Sequence, residues 1–110
     1  MKLLSLDDIQ LEMETHEITP SRAADLSILV SAKYGRAADM YIKANAEYAQ
    51  AFNKNRGDYK SDTACERGID TSEIGLTKHH WKYQLKKCEM MQSALKNLVY
   101  VKTAEARNQV

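Results

Sequence analysis

Thr19-Pro20 opens a stretch, running to about Arg56, in which no further proline occurs and Gly35 is the only glycine. A Thr hydroxyl caps free backbone N–H groups, and Pro at the first helical position forfeits no hydrogen bond, so a helix is predicted over about 20–56. Within it Val30, Tyr34, Ala37, Tyr41, Ala44, Tyr48 and Ala51 alternate steps of four and three. Tyr34, Tyr41 and Tyr48 recur every seven residues, as do Ala37, Ala44 and Ala51. Such a stripe is the seam of a coiled coil or an antiparallel helical hairpin, with alanines letting the partner approach closely. Unbroken, the helix is roughly 55 Å long at 1.5 Å per residue. That is too long for a compact monomer of 110 residues.

Two more helices are predicted. Ser5-Leu6-Asp7-Asp8 has the spacing of a capped helix start with acids in its first turn, and Leu6, Ile9 and Met13 follow at helical intervals. This gives a short amphipathic helix over about 6–15. A last helix over about 77–106 carries Trp81, Leu85, Cys88, Met91, Leu95 and Leu98 on one apolar face. Between the long helices Gly57 is expected as a left-handed cap. The polar stretch 58–75, with Gly68 and Gly75 and no clear period, reads as a loop.

The expected fold is therefore all-α: a short N-terminal helix plus a long antiparallel hairpin with heptad seams, in a single helical domain over 1–110. Leu26, Leu29, Met40, Ile42 and Phe52 lie outside the first seam, and Met90, Val99 and Val101 outside the last. That surplus of apolar surface calls for other subunits, so a homo-oligomer is expected. A monomeric three-helix bundle with a wide apolar face is the alternative.

Composition excludes several classes. A charged fraction of 28% with 44% hydrophobic residues argues against wholesale disorder. Four glycines and one proline are too few for the turns of an all-β domain. No apolar run approaches the ~18–20 residues a membrane span needs, and the start turns acidic before a signal-peptide core forms. A cytoplasmic protein is expected. Cys65 and Cys88, with no second pair, suit reduced thiols better than a disulfide framework or zinc ribbon.

Net charge is +1, unevenly spread. Residues 1–17 set Lys2 against Asp7, Asp8, Glu12, Glu14 and Glu17, while residues 76–110 set six lysines and Arg107 against Glu89 and Glu105. Ends of opposite sign suit head-to-tail or partner contacts. They are equally the mark of plain solvated helices.

Catalytic and metal chemistry find little support. His79 and His80, adjacent on a helix, point about 100° apart and cannot grip one ion, and His16 is isolated. Cys88 falls on the apolar face, and Cys65 has no histidine near it in sequence. No phosphate-binding glycine loop or nucleophile elbow occurs. Neither enzymatic activity nor a cofactor is expected.

Nucleic-acid binding is better supported. Residues 78–87 hold four lysines, two histidines and no acid, and Lys78, Lys82 and Lys86 form one stripe suited to tracking phosphates. His79 and Tyr83 lie beside it, where aromatic rings can stack on bases. Trp81 heads the apolar series and belongs to the core. A second cluster, Lys54, Arg56 and Lys60, ends the long helix, with Tyr59 at the loop mouth. Cations there also simply complement the helix dipole. Repeated around a cyclic oligomer, the cluster would become a polyvalent basic ring.

Leu6-Asp7-Asp8-Ile9-Gln10-Leu11-Glu12, the helix start at Ile18 to Ser21, and above all Lys54-Asn55-Arg56-Gly57-Asp58-Tyr59 resemble the recombination mediator family of T4-type phages (UvsY). The last segment fits that family's Lys-x-Arg-x-Asp-Tyr pattern at the end of its long helix. Trp81 followed seven residues later by Cys88 is also similar. The resemblance implies a helical ring that binds single-stranded DNA. It also implies help in loading a RecA-like recombinase onto DNA covered by single-strand-binding protein. Lys54 and Arg56 carry over as phosphate contacts, and the location implied is the cytoplasm of an infected host cell. A phage structural or adaptor coiled-coil protein that binds no DNA is the competing class.

Overall fold

The computed structural model describes residues 4–108. The described chain is all-helical, in the order α1 (Leu6–Thr15), α2 (Pro20–Asn55), a 3-10 turn (Arg56–Asp58), α3 (Asp62–Asp70) and α4 (Glu73–Asn108). It divides into two compact units. One takes in the chain up to Tyr34 and from Lys86 onward; the other is Gly35–Leu85.

Both helix starts read from sequence are built by local chemistry. Ser5 Oγ accepts the Asp8 N–H at 3.1 Å while Asp8 Oδ2 accepts the Ser5 N–H at 3.0 Å, a reciprocal capping box. Thr19 Oγ1 accepts the Arg22 N–H at 3.1 Å ahead of Pro20. α1 stops where His16 turns extended, at φ −126° and ψ 149°.

In the first unit α1, the N-terminal part of α2 and the C-terminal part of α4 close on Ile9, Ile18, Ala23, Leu26, Val30, Cys88, Met91 and Leu95. Ile9, Leu26, Val30 and Cys88 are fully buried, which pushes the Cys88 thiol pKa up. Gln92 fixes the register. Its amide donates to the Ser27 carbonyl at 3.0 Å and to Ser31 Oγ at 2.6 Å, and its carbonyl accepts from Ser27 Oγ at 2.7 Å. Tyr34 donates to Glu89 at 3.2 Å, and Lys102 reaches Glu17 at 3.1 Å. Residues rising along α2 thus meet residues falling along α4, so the two helices run antiparallel here.

The charged ends meet inside this unit. Asp7 pairs with Lys87 at 2.5 Å and Glu17 with Lys102 at 3.1 Å, while Arg22 forks onto both Glu12 oxygens at 2.7 Å. The Arg22 hydrogen bonds hold the Glu12 carboxyl below the usual carboxylate range. Asp7, Glu12 and Glu17, open to a partner in the sequence reading, are paired within the chain.

The second unit corrects that reading at three points. The stretch 58–75 is not a loop: Ser61 Oγ caps the Ala64 N–H at 3.1 Å, and α3 buries Cys65 and Ile69, one turn apart. α4 begins at Glu73 rather than near Thr77, with Ser72 Oγ accepting the Gly75 N–H at 3.4 Å. Gly57 is no left-handed cap, since no described residue has a positive φ; the 3-10 turn ends the helix instead. Ala51, Cys65 and Ile69 form the core here, with Tyr48 and Phe52 packed against them.

Gly75 makes this turn feasible. A Cβ there would collide with the Ile69 carbonyl oxygen and lie 2.6 Å from the Asp70 Cα, both backbone atoms that cannot swing away. Gly35, inside α2, has open space around the same position. Gly75→Ala is therefore expected to destabilise the fold by about 1–3 kcal/mol through overpacking. Gly35→Ala is expected to stabilise it by roughly 0.5–1 kcal/mol through helix propensity. Urea midpoints of the two variants, at unchanged slope, should move in opposite directions.

Candidate nucleic-acid interface

The basic residues singled out in the sequence divide into two groups by what they touch. Arg56 and Lys78 are engaged by the second unit itself. Arg56 Nε donates to Asp62 Oδ1, and its Nη1 donates to the Tyr59 carbonyl at 2.8 Å. The guanidinium ties the 3-10 turn to the start of α3. Lys78 is half-buried, with Nζ 3.9 Å above the centre of the Tyr48 ring, a cation–π contact worth roughly 0.5–1 kcal/mol when exposed.

Lys54, Lys60, Lys82 and Lys86 form the other group. All four are exposed, and none has a carboxylate within ion-pair distance among the described residues. Lys54 stands in the last turn of α2, Lys60 in the link before α3, and Lys82 on α4. Lys86 is one turn further along the same helix, in the first unit's share of it. Arg67 on α3 is likewise exposed and unpaired. It escaped notice because α3 was read as loop.

The rings separate in the same way. Tyr59 lies across Gly68, its hydroxyl and Cζ occupying the space a Gly68 side chain would need. Trp81 is half-buried, with His80 edge-on to it at 4.9 Å. His79 Nε2 is 3.5 Å from Asp70 Oδ1. Tyr83 is exposed.

Asp70 is the residue the sequence reading missed. Residues 78–87 hold no acid of their own, yet the end of α3 brings this carboxylate to His79 and to Tyr48, whose hydroxyl donates to it at 2.9 Å. The seam residues also find their places within the chain. Ala37, Ala44, Met91 and Leu95 are buried, Tyr41, Tyr48, Trp81 and Leu85 half-buried, and Tyr34 is partly exposed with its hydroxyl on Glu89.

No helix among the described residues is long and apolar enough to cross a membrane. Among the same residues, no group of three or more His, Cys, Asp or Glu side chains is placed to hold a metal ion. No family model matches the chain, and no curated protein or solved structure matches it significantly.

Partial burial and the Asp70 carboxylate push the Tyr48 phenol up to about 12, against an ordinary value of 10.0. The unfolded chain releases this proton first. The contribution to stability is therefore whole below pH 10 and lost as the pH rises toward about 12. The Glu89 carboxylate raises Tyr34 as well, so an alkaline titration of phenolate absorbance should show a late phase that Tyr48→Phe diminishes. A late phase that Tyr48→Phe leaves unchanged would contradict this.

Proposed function

We propose that this chain binds single-stranded DNA through exposed lysines that the fold leaves without carboxylates. In this reading it acts, as a helical homo-oligomer, as a non-enzymatic recombination mediator. The observation that carries the reading is the division among the cations. Arg22, Arg56, Lys87 and Lys102 are neutralised by acids of the same chain, whereas Lys54, Lys60, Lys82 and Lys86 are not. An exposed ammonium without a local carboxylate can neutralise a backbone phosphate and so release the cations condensed along the strand, which favours binding.

Arg56, which the resemblance offers as a phosphate contact, has a different part in this proposal. Its fork shapes the turn that sets Lys54 and Lys60 on either side, and those two lysines meet the strand. Self-association draws support from apolar side chains that the single chain leaves in water. Ile28 and Ile42 on α2 are 70% and 68% exposed, and Met90 on α4 is 65% exposed. A wrapped strand presented by such an assembly would be loosened from single-strand-binding protein and offered, extended, to a RecA-like recombinase. The alternative, a structural or adaptor protein, uses the same apolar positions and leaves the lysines idle.

Fluorescence anisotropy with a labelled single-stranded oligonucleotide over a salt series tests the proposal. Each phosphate neutralised contributes about −0.7 to the slope of log affinity against log salt. The Lys54→Ala/Lys60→Ala/Lys82→Ala variant should bind more weakly, with a slope shallower by about 2. No binding at low salt by an intact wild-type assembly would overturn the DNA reading and leave the structural one.

A further inference from the structure

We infer that Tyr83 is a stacking platform for a nucleobase, with Lys82 beside it holding the adjoining phosphate. The inference rests on the proposed single-stranded DNA binding and names the group that would read the base side of the strand. Its argument is elimination among the aromatic rings of the second unit. A base stacks only on a ring with an open face. Tyr48 has one face under the Lys78 ammonium at 3.9 Å and its hydroxyl on Asp70. Tyr59 is laid on Gly68, Phe52 packs against the Ala51–Cys65–Ile69 core, and Tyr41 is half-buried. Trp81 is half-buried against His80, and His79 stands beside the Asp70 carboxylate.

His80 is engaged edge-on with the Trp81 ring, which leaves Tyr83 as the exposed ring that nothing engages. It is 62% exposed, and no hydrogen bond or ring contact engages it. Its position on α4 explains why. Two residues from both Trp81 and Leu85, each half-buried, it projects on the opposite side of the helix from them. Leu76, seven residues earlier and 60% exposed, lies on that outer side two turns away, and the residues one turn before Tyr83, His79 and His80, include no acid. Lys82, adjacent in the chain and also unpaired, supplies the positive charge a backbone phosphate needs. A strand lying along this side of α4 would set a base on the Tyr83 ring while its phosphate met Lys82. Such stacking is tolerant of base identity, because every base offers a flat face.

The test compares a labelled oligothymidylate with an abasic oligonucleotide of equal length and phosphate number, by anisotropy at low salt. Tyr83→Ala, Tyr83→Phe and Tyr100→Ala are measured beside the wild type, with helicity checked by circular dichroism. Tyr100 is the control, an exposed tyrosine of α4 that belongs to the other unit. The wild type is expected to prefer the thymidylate strand by about tenfold or more. Tyr83→Phe and Tyr100→Ala should keep that preference, and Tyr83→Ala should lose it. Equal wild-type affinity for both strands, or a preference that survives Tyr83→Ala, would overturn the stacking site while leaving phosphate-driven binding in place. Failure of both strands to bind would overturn the DNA reading itself, and this site with it.

Discussion

A line of small side chains recurring every seven residues on α2 is the constraint on which the rest of the molecule depends. Ala23, Val30, Ala37, Ala44 and Ala51 are all buried, each two turns from the last. Small residues bring a facing backbone close, and close approach lets short polar side chains span the gap. In the first unit this is how one Gln92 amide satisfies the Ser27 carbonyl and two serine hydroxyls together. A polar group saturated in that way costs little to bury, whereas a shifted register would strand it. In the second unit the last of the line, Ala51, leaves room for Cys65 and Ile69, so a nine-residue helix can seat against α2 at all.

That packing also decides which charges remain available. Exposed ion pairs are worth about 0–1 kcal/mol each, so the pairs of Asp7, Glu12 and Glu17 are minor terms in stability. Their larger effect is electrostatic: they set three of the five acids of the N-terminal segment against Arg22, Lys87 and Lys102. A chain of net charge +1 then keeps exposed cations without ion pairs, Lys54, Lys60, Lys82 and Lys86 together with Arg36, Lys43, Arg67 and Lys96 among them. Composition alone cannot show this, because it counts a paired lysine and an unpaired one alike.

What the sequence made legible follows the range of the interactions involved. The starts of α1 and α2 rest on contacts three residues apart, Ser5 with Asp8 and Thr19 with Arg22, and were readable to the residue. α3 was not. Its apolar signal is only Cys65 and Ile69, and Gly68 sits between them as a mark of a loop. Gly68 and Gly75 are in fact where Tyr59 and the end of α3 come too close for a side chain. Once α3 was missed, Asp70 could not be placed beside His79, and the stripe at 78–87 looked freer of acid than it is. The lysines were legible as candidates. Which of them stay unpaired depends on contacts such as Asp7 with Lys87, eighty residues apart.

The Lys54-Asn55-Arg56-Gly57-Asp58-Tyr59 segment shows how a short motif can report architecture before it reports binding. Arg56 reaches back to the Tyr59 carbonyl and forward to Asp62, so its charge is spent on closing the turn and anchoring α3. A Cβ at Gly57 would meet open space, whereas Tyr59 covers Gly68. The arginine and the tyrosine of this segment are thus used by the turn itself, with Asp62, beyond the segment, as the arginine's acid. The residues left over by that requirement, Lys54 before the turn and Lys60 after it, are the ones with no structural duty. A cation that the fold does not use is the one a phosphate can take without first breaking a contact. On that ground the proposed phosphate contacts are the lysines at the motif's edges rather than the arginine at its centre.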